Sequence, residues 1–151
     1  METQATGRSR RQTSHEFYKK LLKLAGAGCA AFWITDFAIS VSPFGAEYLA
    51  AFSVSYLPMA LAEALVGGWI IGCGVSYFLL RFFDMIPTNN PILKAVILGF
   101  VAMAVIEVLS TLGNPGNASV YLLLDTGMNM PRFLALGLVI GYLYDKLHGG
   151  A

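Results

Sequence analysis

Charge is what this sequence has least of. Only 13% of its 151 residues are Asp, Glu, Lys or Arg. Eight of them (Glu2, Arg8, Arg10, Arg11, Glu16, Lys19, Lys20, Lys23) fall in the first 23 positions. The stretch from Leu24 to Ala151 holds 11 in 128 residues, about a third of the density of a soluble domain. With 56% hydrophobic residues and a mean hydropathy of +0.63, such a chain cannot clothe a water-facing surface. Two cysteines are too few for a disulfide scaffold, and there is no Gly-X-Y period for a collagen. The apolar content also excludes disorder. The two histidines, His15 and His148, lie near the chain ends, so no His-rich metal site or His-based catalytic pair forms among the apolar segments. No Gly-rich phosphate loop, nucleophile elbow or metalloprotease motif occurs. Enzymatic activity and a bound cofactor are not expected, and beyond its basic start the chain has nothing suited to nucleic acid.

What is present is apolar length. Four segments approach the roughly 20 helical residues that cross a bilayer: 21–42, ending at Pro43-Phe44-Gly45; 58–83, opening on Pro58; 92–112, after Pro87-Thr88-Asn89-Asn90-Pro91; and 131–147, opening on Pro131. The expectation is an all-α, multi-pass membrane protein with four transmembrane helices over residues 21–151, preceded by a flexible basic tail over 1–20. Lys and Arg cluster before the first segment, around the turn between the second and third (Arg81, Lys94), and after the fourth (Lys146). Neither of the other two loops, 43–57 and 113–130, contains a Lys or Arg. The positive-inside rule then puts both termini in the cytoplasm, in a cell inner or plasma membrane.

The start of the chain is similar to two export signals. Ser9-Arg10-Arg11 with the later Leu22-Lys23-Leu24 resembles a twin-arginine signal, although the apolar element stands several residues downstream of the arginines. Gly26-Ala27-Gly28-Cys29 resembles a lipoprotein box with Gly26 where Leu belongs. The expectation keeps the first helix in the protein. The nine residues Leu57–Leu65 resemble a span of the substrate-binding membrane proteins of energy-coupling-factor metal transporters. The His-containing N-terminal metal motif of those proteins has no counterpart here.

An internal repeat is visible. A shift of 71 places Gly28 on Gly99, Asp36 on Glu107, Ser40 on Thr111 and Gly45 on Gly116; a shift of 73 places Pro58 on Pro131, Gly68 on Gly141 and Trp69 on Tyr142. The expected unit is a helical hairpin, present twice in parallel (about 21–86 and 91–151), with a short outer segment inside each (Glu47–Leu57 and Ser119–Met130) forming an interfacial helix. Small residues at four-residue spacing, Ala64/Gly68/Gly72 and Gly137/Gly141, with Gly28 and Gly99 on the other helices, suit close helix packing. They suit contact within the bundle, with a homo-oligomer or a larger membrane complex as further uses.

Ionisable groups inside a span cost several kcal/mol unless paired or hydrated. Asp36, Glu63 and Glu107 stand out because their distances from the outer span ends agree, about 7–9 Å at 1.5 Å per residue. Glu47 and Asp125 lie on the outer segments, and Arg132 is the single base on that side. Ser40 and Thr111 sit one turn beyond Asp36 and Glu107, placing a hydroxyl on each acid's face. Acids crowded in this way hold a proton or a cation. The expected function is therefore binding or conduction of a cation or proton at an outer-half site. The alternative is a non-catalytic assembly subunit of a larger membrane complex, its acids serving as inter-helix hydrogen bonds.

Overall fold

The computed structural model describes residues 2–43, 45, 57–113 and 118–148. They form helices α1 (Glu2–Ser40), α2 (Leu57–Arg81), α3 (Pro91–Gly113) and α4 (Ala118–His148), with a 3₁₀ turn at Phe83–Met85. Stretches 14–40, 57–81 and 91–112 are long and apolar enough to cross a membrane. α1 already includes the basic segment before residue 21, so the chain enters its first apolar stretch as helix.

Local signals explain the boundaries around α3. Asn90 accepts from the backbone N–H of Ile92 at 2.9 Å and of Leu93 at 3.4 Å, and Pro91 follows, where its missing N–H would have no helical partner. The fourth helix differs from expectation. Ser119–Met130 is not a separate outer helix; α4 passes through Pro131 without a break. One proline removes one backbone hydrogen bond. With neighbouring helices packed around it, that is insufficient to end the helix, even with Gly127 and Asn129 in the turn before the proline. The first outer segment, 47–57, lies outside the described residues except for Leu57, which opens α2.

α1 packs along α2 and α3 along α4, and the two hairpins join mainly through α1 and α4; α2 touches α3 only lightly. Leu24, Leu79, Phe133, Leu136 and Ile140 are fully enclosed. The Phe32 and Phe133 rings meet edge to face at 5.5 Å between α1 and α4. The outward faces of α2 and α3, including Val66, Ile70, Val105 and Leu109, are apolar and exposed, as a lipid-facing surface requires.

The glycines set the close approaches. A Cβ on Gly72 would lie 2.8 Å from the Ala25 carbonyl oxygen, and one on Gly137 2.7 Å from the Val96 Cα. Gly141 presses against the backbone of Ile92 and Gly68 against the Phe32 ring. Yet residues aligned by the repeat hold different places. Gly28 faces Ile140 and Leu136 on the other hairpin, whereas Gly99 faces the Phe133 carbonyl within its own. Gly68 meets Phe32, while its match Gly141 meets Ile92, whose own match is Leu21, about three turns from Phe32.

At the basic end, Lys94 is buried, 3% exposed. Its ammonium donates to the Phe83 carbonyl and sits 3.5 Å from the Phe83 ring centroid. Phe83 stacks on Tyr144 and Tyr144 on His148, whose Nε2 lies 3.2 Å from Lys20 Nζ. A carbonyl and a π-face together solvate a cation that has left water.

Candidate functional site

Near the opposite end, four polar side chains from three helices join in a buried row. Asp36 on α1 forms an ion pair with Arg132 on α4, Nη2 to Oδ1 at 2.6 Å. Arg132 Nη1 donates to Asn129 Oδ1 at 2.7 Å, and Asn129 Nδ2 donates to Glu107 Oε1 on α3 at 2.9 Å. Exposure is 4% for Asp36, 8% for Arg132, 9% for Asn129 and 4% for Glu107, so the row is sealed inside protein.

Helix geometry accounts for the row. Asn129 and Arg132 are three residues apart on α4 and share a face. That face turns toward α1 on one side and α3 on the other, because α4 is the helix both neighbours pack on. The carboxamide suits its place: its oxygen accepts from the guanidinium and its nitrogen donates to the carboxylate. Asp125, one further turn outward on the same face, approaches Glu107 closely enough for the two acids to interact.

Of the residues singled out in the sequence, Asp36, Glu107 and Arg132 come together, with Asp125 beside Glu107. Glu63 does not join them. It is exposed on α2, which contacts α4 only slightly. Glu47 lies outside the described residues. Thr111 Oγ1 donates to the backbone carbonyl of Glu107 at 2.7 Å, so its hydrogen bond serves the helix and not the carboxylate; Ser40 is half-buried at the end of α1. Asn129 was missed because it does not ionise. Its signal was available: a carboxamide within an apolar helix, on the turn that carries the lone outer Arg. Cys29 offers no ligand set; its thiol donates to the Leu65 carbonyl at 3.4 Å. Among the described residues no group of three His, Cys, Asp or Glu is arranged to hold a metal ion.

The arrangement unites two unlike halves. Asp36 has its counter-charge in Arg132. Glu107 faces a neutral amide and a second acid. Formally the set carries three negative charges and one positive, so a proton or a small cation between Glu107 and Asp125 brings it closer to neutrality, which a low-dielectric interior strongly favours.

The chain matches no protein-family model, no curated protein and no solved structure.

Proposed function

We propose that this is a four-span membrane protein, with both termini in the cytoplasm, that binds a proton or small cation in its outer half at Glu107 and Asp125. α4 supplies the fourth span, and the Asp36–Arg132 pair holds α1 against it. One observation carries the reading: Asp36, Glu107 and Asp125 share a single base, Arg132, which binds Asp36 and Asn129, and Glu107 stands beside the Asp125 carboxyl group. A proton on one of these acids lets its O–H donate to the other while Glu107 still accepts from Asn129. Ion exchange at this place gives the protein a transport or sensing role.

Reconstituted protein in liposomes, loaded with a pH-sensitive dye and then with Na⁺ or K⁺ indicators, tests the transport form. The wild type is expected to carry one of these ions, with Glu107→Gln and Asp125→Asn at least tenfold slower and Glu63→Gln unchanged. Equal flux in wild type and Glu107→Gln contradicts it. The second reading, an assembly subunit, is favoured by a different observation: Glu63 stands exposed on an apolar helix face.

A further inference from the structure

Glu63 has no place in the buried row, and its position demands a partner. α2 has 25 residues, about 37 Å of helix, and a bilayer's hydrocarbon is about 30 Å thick. Glu63 lies six residues outward of the helix midpoint, about 9 Å, which in a bilayer centred on the helix puts it about 6 Å below the outer boundary of the apolar layer. Its side chain is exposed, and Met59, Val66 and Ile70 around it are exposed and apolar. It makes no polar contact with a described residue. One turn inward, a Cβ on Gly67 would meet nothing within 4 Å, so the backbone below the acid is open to close approach. A carboxylate on such a face costs several kcal/mol unless something neutralises it.

This chain cannot supply the neutralising charge. Arg132 is its one base toward that end, and it is 8% exposed and paired with Asp36. Arg81, Lys94 and Lys146 lie at the other helix ends, and Lys20 and Lys23 lie toward that side too, Lys20 beside His148. Residues 46–56, the stretch before α2, contain no Lys or Arg. A second copy docked by a twofold along the membrane normal would set Glu63 against Glu63 at one depth, adding like charge.

We propose that the outward face of α2 around Glu63 docks a transmembrane helix of a different protein, one that carries an Arg or Lys in its outer half. The ammonium or guanidinium pairs with the Glu63 carboxylate, and Gly67 lets the two backbones approach closely. The proposal is independent of proton or cation binding at Glu107.

The test uses full-length protein in phosphatidylcholine vesicles with a donor dye at its N-terminus. Synthetic Leu/Ala transmembrane helices carry an acceptor dye and either one Arg or one Leu in the outer third. The Arg helix is expected to associate at least tenfold more tightly than the Leu helix, with the preference lost in Glu63→Gln and Glu63→Leu. Because Glu63 is exposed, both variants should keep the fold, which circular dichroism checks. Equal association of the two peptides, no association of either, or a preference that survives Glu63→Leu overturns the proposal. Self-association of the protein that disappears in Glu63→Gln also overturns it, making a second copy the occupant.

Discussion

Replacing Arg132 with Met leaves the Asp36 carboxylate, 4% exposed, without its counter-charge. Uncompensated buried charge costs about 3–5 kcal/mol, whereas replacing both partners with apolar groups of similar volume is often neutral. Arg132→Met should therefore destabilise the protein by about that amount, and Asp36→Leu/Arg132→Met should recover most of the loss. Denaturant titration in detergent micelles, run as a double-mutant cycle, reads both values. Asn129→Leu should cost less, about 1–3 kcal/mol, since it removes hydrogen bonds and leaves the ion pair in place. The sequence marked Asp36, Glu107 and Arg132 because charge in an apolar stretch is conspicuous. It gave no comparable mark to Asn129, which joins the two acids without ionising, and it could not separate Glu63 from Glu107. Depth along a helix is readable from residue number; the direction in which a residue faces depends on which helices become neighbours.

The helices themselves were largely legible, because hydropathy and the turn at 87–91 determine where apolar stretches begin and end. The exceptions are the start of α1, which is helical from Glu2 where a flexible tail over 1–20 is expected, and α4. A proline at the head of an apolar run reads as a helix start, but the segment before Pro131 is helical as well, and packing against α1 and α3 holds it continuous. Glycine spacing foretold close helix contact without saying which glycines face a neighbour. A Cβ on Gly137 or Gly72 would lie less than 3 Å from the backbone of the adjoining helix, whereas one on Gly67 or Gly74 would meet nothing within 4 Å. Gly137→Ala and Gly72→Ala should accordingly destabilise by about 1–3 kcal/mol through overpacking. Gly67→Ala and Gly74→Ala should be neutral or stabilising by about 0.5–1 kcal/mol through helix propensity. Unfolding in micelles distinguishes the two groups, and a common effect on all four would contradict the packing described.

Across the whole molecule, the bases are sorted by end, with Glu16, Asp84 and Asp145 standing among them. Lys20, Lys23, Arg81, Lys94 and Lys146 lie at one end of the bundle, while Asp36, Glu63, Glu107 and Asp125 lie toward the other with Arg132 among them. In a Cys29→Ala/Cys73→Ala background, single cysteines at Ser14 and Thr88 should react with a membrane-impermeant maleimide only after permeabilisation. One at Asn117 should react in intact cells. The reverse pattern would invert the topology and place the acids at the cytoplasmic side. The sparse charge of this chain thus divides into a mixed, mainly basic end and an acidic interior, with Glu63 left facing outward.

Glu107 and Asp125 are proposed to hold an exchangeable proton or cation between them. Infrared difference spectroscopy across a pH titration of the protein in lipid measures this most directly. A protonated-carboxyl band is expected that fades as pH rises or as a bound cation displaces the proton; its Glu107–Asp125 component is absent in Glu107→Gln and intact in Glu63→Gln, while any component from Glu63 itself is lost only in Glu63→Gln. A spectrum in which every carboxyl is ionised throughout, with no response to added Na⁺ or K⁺, would contradict it.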